Sequence, residues 1–384
     1  MILPPLTIEE VARYSRHLLL PQIGVRGQQR LKAASVLIVG MGGLGSPIAA
    51  YLAAAGIGKL GLVDYDRVEL SNLQRQILYS VQQEGEQKAV CAAERVRSIN
   101  PEIEVNAFPL EFNAGNAREI SAGYDILVDG TDNIPTRYLL NDLAVLTEKT
   151  YVYGSIFRFE GQVSVFGVDD GPCYRCLFSE PPPPGVIPSC SSVGVMGVLP
   201  GIIGSIQAAE VIKLVTGAGS PLIGKLLLFD ALDMSAEVVK VRKKQACQIC
   251  GAQPIIKDLI DYEAWCRTGI QEEFEQLASE WDIEPLELMQ LLDSEHPPLL
   301  LDVREEFERA ISALSGAVAI PLPDLENRLT ELLPGCEVVI FCRNGVRSRD
   351  AARLLTRQGF SRVHSLRGGI NAWALQVDSR LLIY

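Results

Sequence analysis

The stretch VLIVGMGGLG, residues 36–45, decides the fold of the first half of the chain. An apolar run breaks into glycines and then continues with helical spacing, which predicts a buried strand, a tight turn and the N-terminus of a helix. Gly40, Gly42 and Gly45 allow the backbone to turn sharply and to approach a ligand closely. A second apolar run ends at Asp64, whose carboxylate is placed to accept hydrogen bonds from a ribose. The pattern predicts a nucleotide site, although glycines after a strand can also serve a turn alone.

Length, composition and charge narrow the class of protein. A chain of 384 residues with 48% hydrophobic residues can bury large cores and predicts two or three structural units. The net charge of -12 gives no overall basic field, so neither nucleic acid nor an anionic membrane is expected as a direct partner. Nine cysteines and no N-terminal signal peptide predict a cytoplasmic protein whose thiols serve as metal ligands or nucleophiles. The uncharged stretch 181–209 contains prolines and glycines that predict a loop followed by a buried helix instead of a membrane span.

Polar residues follow the predicted strands at the positions where a doubly wound sheet binds its ligands. Arg75 lies in a polar run at 69–76, and its guanidinium offers a forked set of donors to phosphate oxygens. Lys88 opens the next predicted helix. Asp132 follows a third apolar run and could hold a magnesium ion that bridges phosphates. The alternative is that Asp132 or Asn133 only caps the helix that comes next.

Two cysteine pairs, Cys173 with Cys176 and Cys247 with Cys250, have the spacing of metal knuckles. Four thiolates at this spacing suit a tetrahedral zinc ion with no open position. Either pair alone could be a redox dithiol, but two matched pairs favour structural zinc. Between the pairs, Cys190 ends a proline-rich loop, where it could act as a nucleophile or fill space as a small apolar residue.

A second unit begins near residue 283, after a connecting stretch in which we find no residues arranged for chemistry. Its strand at 338–341 leads into the loop CRNGVRS, residues 342–348, and then into a helix. The helix dipole, the loop amides and nearby arginines favour the thiolate of Cys342. The polar and cationic residues that follow Cys342 disfavour the alternative of a buried structural cysteine. We therefore predict a reactive thiol.

Two family resemblances rest on these motifs. Residues 1–250 resemble the MoeB/ThiF family, because RYSRH, GMGGLG, DYD, SNLQRQ, DGTDN, both CxxC pairs and PPPPGVIPSC occur in the expected order. Residues 280–384 resemble a rhodanese domain, with LDVRE, CRNGVRS and GGINAW. The order is that of the fused MoeB–rhodanese adenylyltransferases and sulfurtransferases. The resemblance implies an α/β fold, in which a Rossmann-like doubly wound sheet with structural zinc precedes a smaller α/β rhodanese domain, with a linker at 251–279.

The resemblance also implies the site residues and the cofactors ATP, Mg²⁺ and Zn²⁺. The two cysteine pairs would hold the zinc, and Arg16 would reach the ATP of a partner subunit, which implies a homodimer. Cys342 would carry a persulfide, and Cys190 is the family's thiol on the crossover loop, although Ser191 and Ser192 follow it where many relatives have an acidic residue or alanine. Arg75 and Asp132 would have catalytic roles. The residues implied to hold ATP and magnesium are Gly43, Asp64, Ser71, Asn72, Leu73, Gln74, Arg75, Lys88, Asp132 and Asn133.

The implied reaction joins two activities. The first unit would adenylate the C-terminal glycine of a small ubiquitin-like sulfur carrier that ends in Gly-Gly. A cysteine-desulfurase-type donor would load sulfur onto Cys342, and transfer of that sulfur would give a C-terminal thiocarboxylate. One alternative is an activator that forms a thioester on Cys190 for protein conjugation. Another is a nicotinamide-dependent oxidoreductase, which would use Asp64 but would leave Arg75, Lys88 and Asp132 unexplained.

Overall fold

The computed structural model describes residues 3–168, 170–181, 194–267, 281–332 and 335–382. The chain divides into two compact units, Met1–Gly269 and Ile270–Tyr384. The first unit therefore extends past the last zinc-type cysteine and includes part of the stretch at 251–279 that the sequence suggested as a linker.

An eight-stranded sheet organises the first unit, with strands in the order β3-β2-β1-β4-β5-β6-β7-β8. The neighbouring strands from β3 through β2, β1 and β4 to β5 pair in parallel. From β5 through β6 and β7 to β8 each pair is antiparallel. The parallel part has the strand order of a doubly wound sheet, and the order reverses between β1 and β4, where such sheets bind ligands. The strands are β1 (Ser35–Val39), β2 (Lys59–Val63), β3 (Glu104–Phe108), β4 (Ile126–Asp129), β5 (Thr150–Phe157), β6 (Glu160–Phe166), β7 (Lys225–Asp230) and β8 (Ser235–Lys240).

Helices cover both faces of this sheet and create two apolar cores. The helices of this unit are α1 (Ile8–Arg13), α2 (Ser15–Leu18), α3 (Gly24–Ala33), α4 (Gly45–Ala55), α5 (Lys88–Ile99), α6 (Ala117–Ser121), α7 (Ile134–Leu146), α8 (Tyr174–Leu177), α9 (Leu199–Thr216) and α10 (Tyr262–Arg267). Residues of α4, α5 and α9 contribute to the core on one face, and residues of α7 contribute to the core on the other. Single 3-10 turns occur at Leu70–Asn72 and Val81–Gln83.

The uncharged stretch 181–209 ends inside helix α9, which begins at Leu199. This helix lies against α3, α4, β5 and β6. By length and composition α9 could cross a membrane, and half of its apolar window is buried inside the protein. A core helix passes the same test, so this observation is weak support for a membrane span.

The second unit is a smaller sheet of parallel strands in the order β11-β10-β12-β13-β9. Cys342 directly follows β12, at the position that the sequence predicted. The strands are β9 (Asp282–Ile283), β10 (Leu299–Asp302), β11 (Val318–Ala319), β12 (Val338–Phe341) and β13 (Val363–Leu366). The helices are α11 (Pro285–Leu292), α12 (Glu306–Ile311), α13 (Val346–Arg357) and α14 (Gly369–Gln376), with a 3-10 segment at Leu322–Glu331.

The glycine turn after β1 is packed against itself and against the end of β4. Gly40 has a φ of +88°, in the left-handed region that favours glycine. A Cβ atom on Gly45 would collide with the carbonyl oxygen of Gly40, and so would a Cβ atom on Gly130. The turn can therefore reach its observed shape only with glycine at these positions.

We expect the substitution Gly45→Ala to lower the stability of the first unit by about 1–3 kcal/mol, because the added methyl group forces the turn to move. The matched control is Gly201→Ala, since Gly201 lies inside α9 and a Cβ atom there meets open space. This control should be neutral or stabilising by up to about 1 kcal/mol. Scanning calorimetry of the full chain measures both shifts, and equal unfolding temperatures for the two variants would contradict the packing argument.

Candidate active site

A cavity of about 300 Å³ lies at the carboxyl ends of β1, β2 and β4. This is the edge of the sheet at which the strand order reverses, as expected for a doubly wound fold. Its wall combines the glycine turn, basic and acidic side chains and a group of apolar residues. The lining residues are Val39, Gly40, Gly42, Gly43, Leu44, Val63, Asp64, Tyr65, Asp66, Arg75, Gln76, Lys88, Leu110, Glu111, Phe112, Gly130, Thr131, Asp132, Asn133, Pro135, Thr136, Ile156 and Glu263.

Asp64 holds the glycine turn as well as facing the cavity. Its Oδ2 accepts a hydrogen bond of 2.7 Å from the backbone N–H of Met41, and its Oδ1 accepts one of 2.8 Å from the N–H of Asp66. Burial raises the pKa of Asp64, while the positive charge of Lys88 and the two backbone donors act in the opposite direction. A carboxylate oxygen can accept more than one hydrogen bond, so these contacts leave Asp64 able to bind a hydroxyl group as well.

Two cations line the same cavity. The side chain of Lys88 is only 6% exposed, and its Nζ lies 3.0 Å from Oδ2 of Asp66. Arg75 donates from Nη1 to the carbonyl oxygen of Ser71 at 3.1 Å. An ammonium group has three donors and a guanidinium group has five, so both side chains retain donors for phosphate oxygens.

The polar turn after β4 separates the roles of its two candidate residues. The side-chain oxygen of Asn133 accepts the N–H of Thr136 at 2.9 Å, so Asn133 caps α7, and it also lines the cavity. Asp132 is exposed and lines the cavity. Its position therefore leaves the carboxylate accessible for a metal ion or a phosphate-bound water.

A buried carboxylate braces this turn from below. Asp129 accepts hydrogen bonds from the backbone N–H and the hydroxyl of Thr131 at 2.9 and 2.7 Å. Its other oxygen accepts the hydroxyl of Tyr151 at 2.7 Å. Burial raises the pKa of Asp129, and the charge of Arg137, whose Nε lies 3.8 Å away, opposes that shift. Asp129 thus fixes the turn that presents Asp132.

The sequence predictions and the cavity overlap in part. Six of the predicted residues line it: Gly43, Asp64, Arg75, Lys88, Asp132 and Asn133. Five others, Arg16, Ser71, Asn72, Leu73 and Gln74, do not line this cavity. Arg16 is exposed on α2, and the roles of these five residues stay predictions.

Several contributors to the cavity were missed, and one of them, Gln76, lies in the quoted SNLQRQ motif. Gln76 lines the cavity beside Gly42, and its buried Oε1 has no hydrogen-bond partner within the described parts of the chain. The same holds for Oδ1 of Asn72. An unpaired buried oxygen costs about 1–3 kcal/mol, which a bound donor would recover. These features fit a nucleoside triphosphate bound with a divalent cation. They are the glycine turn, the cations Arg75 and Lys88, the exposed carboxylate of Asp132 and the unpaired oxygen of Gln76.

The four cysteines of the two CxxC pairs come together as the spacing predicted. Their sulfur atoms all lie within 4.8 Å of one another. Sγ of Cys173 is 3.9 Å from that of Cys176 and 3.6 Å from that of Cys247, and the Cys176 and Cys250 sulfurs are 3.4 Å apart. Thiolates around a tetrahedral zinc ion, with bonds of about 2.3 Å, are separated by similar distances. The cluster could therefore hold zinc.

Cys190, predicted as a second nucleophile or an apolar filler, lies outside the described residues. Cys342 is fully buried, and the backbone N–H of Gly345 donates to its sulfur at 3.2 Å. The hydroxyl of Ser348 lies 3.7 Å from the same sulfur. At the end of the loop, Arg347 makes two contacts of 2.6 Å with Glu308. The sulfur is thus buried in the apolar core of the second unit, as the structural alternative required, while its loop side carries the backbone donor of Gly345 and the hydroxyl of Ser348.

Comparison with known proteins agrees with both units. The ThiF family model matches residues 14–250, and the rhodanese-like domain model matches residues 284–376. The solved structure of the Escherichia coli protein MccB with ATP is similar at a TM-score of 0.55 and 23% identity, and the match covers 62% of this chain and 74% of that one. At this identity the likeness concerns the fold alone.

Full-length relatives are more informative. The probable adenylyltransferase/sulfurtransferase MoeZ of Mycobacterium tuberculosis is 45% identical, with 99% of this chain and 96% of that protein covered. The mouse adenylyltransferase and sulfurtransferase MOCS3 is 42% identical over 97% of this chain and 87% of its own length. The sulfur carrier protein adenylyltransferase of Thermus thermophilus is 52% identical over 68% of this chain and 98% of its own length.

The fold and the site therefore define a nucleotide-binding α/β protein joined to a rhodanese-like domain. The chain belongs to the ThiF family, and in particular to those members that carry a C-terminal rhodanese-like domain.

We expect the purified protein to contain about one zinc ion per chain, because four clustered thiolates fill a tetrahedral coordination sphere. Cys247→Ser removes one thiolate and should lower the retained zinc about tenfold after dialysis. The control is Cys336→Ser, which changes a cysteine outside the cluster. Elemental analysis gives the zinc content, and full retention of zinc by Cys247→Ser would rule out the assignment.

Proposed function

We propose that this protein adenylates the C-terminal glycine of a small ubiquitin-like sulfur carrier and then converts the adenylate to a thiocarboxylate. The observation that carries the proposal is the cavity that Arg75, Lys88 and Asp132 line together with the glycine turn, in a chain whose Cys342 accepts a hydrogen bond from the backbone N–H of Gly345. The printed names of the full-length relatives, which combine adenylyltransferase and sulfurtransferase, support it.

The first step would activate a poor electrophile. A carboxylate oxygen of the carrier's last glycine attacks the α-phosphorus of ATP, and the bond from that phosphorus to pyrophosphate breaks. Arg75 and Lys88 neutralise the negative charge that develops on the phosphate oxygens. Asp64 binds the ribose, and the free oxygen of Gln76 accepts a further hydrogen bond from the bound nucleotide or its water.

Two metals fit the residues present. Asp132 would hold a magnesium ion, which supplies positive charge to the phosphates when bound. The cysteine cluster would hold zinc as a structural ion, since four protein ligands leave no open position. Membership of the ThiF family implies that the site uses ATP.

The second step would transfer sulfur. The terminal sulfur of a persulfide on Cys342, loaded by a cysteine-desulfurase-type donor, attacks the acyl-adenylate carbonyl and expels AMP. A second thiol then attacks the Cys342 sulfur of the resulting acyl disulfide and releases the carrier thiocarboxylate. The resemblance offers Cys190 either as that thiol or as the site of a thioester, and a cellular thiol reductant would reduce the disulfide that this step leaves on Cys342. The amides of the loop from Cys342 to Arg347 would stabilise the negative charge on the terminal sulfur of the persulfide, so the step needs no histidine base.

The remaining expectations also belong to this proposal. The carrier would end in Gly-Gly, and a homodimer would place Arg16 at the partner's nucleotide. The protein would work in the cytoplasm without contacting nucleic acid or membrane directly. An adenylation domain at 1–250 and a rhodanese domain at 280–384 would be joined by the linker at 251–279.

The decisive experiment is ATP–pyrophosphate exchange by the full chain with candidate carriers. Exchange that appears only with a carrier ending in Gly-Gly supports adenylation and identifies the carrier. A stable thioester on Cys190 without any thiocarboxylate would favour the conjugation function instead. Tight nicotinamide binding without ATP turnover would favour an oxidoreductase.

We expect Arg75→Ala to lower kcat/KM for pyrophosphate exchange about 100-fold, because the phosphates lose a charged donor in the transition state. The control is Arg118→Ala, since Arg118 makes an exposed ion pair with Asp258 that contributes little. That variant should stay within about twofold of the unmodified protein. Equal rates for the two variants would remove Arg75 from the mechanism.

Cys342→Ala should abolish thiocarboxylate formation while leaving pyrophosphate exchange unchanged, because the adenylation site does not need this thiol. Cys336→Ala, in the same unit, is the matched control and should retain both activities. Mass spectrometry of the carrier detects the thiocarboxylate. Thiocarboxylate formation at the normal rate by Cys342→Ala would show that another group delivers the sulfur.

A further inference from the structure

Helix α10, which follows the last zinc-type cysteine, contributes to the wall of the nucleotide cavity. Its residue Glu263 lines the cavity, although it lies beyond residues 14–250, where the ThiF family model matches. Nothing in the sequence of this stretch indicated chemistry. The helix belongs to the first compact unit and packs against α7, whose N-terminal residues line the same cavity.

A buried ion pair anchors α10. Arg175, 1% exposed, lies inside the first CxxC pair and contacts fully buried Asp142 through Nε–Oδ1 and Nη2–Oδ2 at 2.8 and 2.7 Å. The hydroxyl of Tyr262 donates to Oδ2 of the same aspartate at 2.7 Å. The guanidinium group of Arg175 also lies 4.6 Å from the ring centroid of Trp265. Tyr262 and Trp265 therefore fix the helix on both sides of Glu263.

The charges and the apolar surface of the cavity decide which part of a nucleotide meets Glu263. Arg75 lies beside Gly43 of the glycine turn, where phosphates bind next to a helix N-terminus, and Lys88 lines the same cavity from its contact with Asp66. Asp64 follows β2, the position of a ribose-binding carboxylate. Asp132 would meet the phosphates through a magnesium ion, whereas a glutamate without a cation would repel them, so we place Glu263 at the other end of the nucleotide. Apolar side chains suited to the flat faces of a base line the cavity too, namely Leu110, Phe112 and Pro135.

We propose that Glu263 reads the nucleobase, accepting a hydrogen bond from the 6-amino group of adenine, and that Tyr262 and Trp265 are positioning residues that hold it there. A carboxylate accepts hydrogen bonds and cannot donate them when ionised. Guanine and hypoxanthine carry an oxygen at position 6. That oxygen is a hydrogen-bond acceptor and would be repelled by the carboxylate of Glu263, which is also an acceptor. The helix at the start of the linker thus selects adenine nucleotides. This inference rests on the proposed function, in which the cavity binds ATP.

The test measures nucleotide binding by the full chain, separately from activity. Calorimetry with a hydrolysis-resistant ATP analogue and with the corresponding inosine analogue gives two dissociation constants for each variant. We expect the unmodified protein to prefer the adenine analogue about tenfold or more, the range of a hydrogen bond to a charged group. Glu263→Ala should weaken binding of the adenine analogue about tenfold, and the inosine analogue should bind at least as tightly as before because the opposing acceptor is gone.

Two further variants separate recognition from folding. Glu263→Gln keeps an acceptor oxygen, so it should retain most of the adenine affinity, but its amide N–H can donate to the position-6 oxygen of hypoxanthine, so the inosine analogue should bind more tightly and the preference should fall. Tyr262→Phe removes only the hydroxyl that donates to Asp142, and its preference should fall between those of the unmodified protein and Glu263→Ala, with zinc content unchanged. Wild-type constants for Glu263→Ala would overturn the inference. A changed magnesium dependence with an unaltered adenine preference would overturn it as well, because Glu263 would then act on the metal.

The same measurements distinguish this inference from the proposed function. If no carrier supports pyrophosphate exchange but the adenine preference depends on Glu263, the inference stands and the proposed function fails. If exchange depends on the carrier but Glu263→Ala binds each analogue with the same dissociation constant as the unmodified protein, the proposed function stands and the base-reading role of Glu263 fails.

Discussion

The close approach of Gly40, Gly45 and Gly130 is the constraint on which the first unit depends. Backbone atoms of the β1 turn occupy the space in which side chains at Gly45 and Gly130 would have to lie. This contact sets the distance between the start of α4 and the end of β4. It therefore brings the phosphate-binding turn and the acidic turn to the two sides of one cavity. The identity of three glycines thus determines whether the charged residues can act together.

Two carboxylates turn that backbone arrangement into a rigid site. Asp64 accepts backbone hydrogen bonds from the glycine turn, and Asp129 accepts hydrogen bonds from the turn that carries Asp132. Both carboxylates accept hydrogen bonds from groups at the edge of the cavity. A site held by such contacts needs little rearrangement when a charged substrate arrives, which is how electrostatic stabilisation is made effective. The ordered polar loop around Cys342 applies the same principle to sulfur in the second unit.

Sequence patterns predicted the features that depend on local spacing. The strand, turn and helix around Gly40 follow from hydrophobic periodicity, and the cysteine cluster follows from two matched spacings. Long-range contacts were less accessible. Tyr262 meets Asp142 across 120 positions in the chain, so the linker pattern could not show that α10 docks on the first unit. The capping role of Asn133 also remained open, because one side chain suits both a cap and a ligand.

The antiparallel end of the sheet has a consequence for behaviour in concentrated solution. Among the described residues strand β8 ends the sheet order with no partner on its outer side, and its residues are exposed along nearly their whole length. An unpaired edge of this kind can recruit an edge from another molecule and begin aggregation. Here the edge carries Glu237 and Lys240, whose hydrated charges oppose a close match between two flat strands. The same strand that completes the sheet thus also limits its growth into larger assemblies.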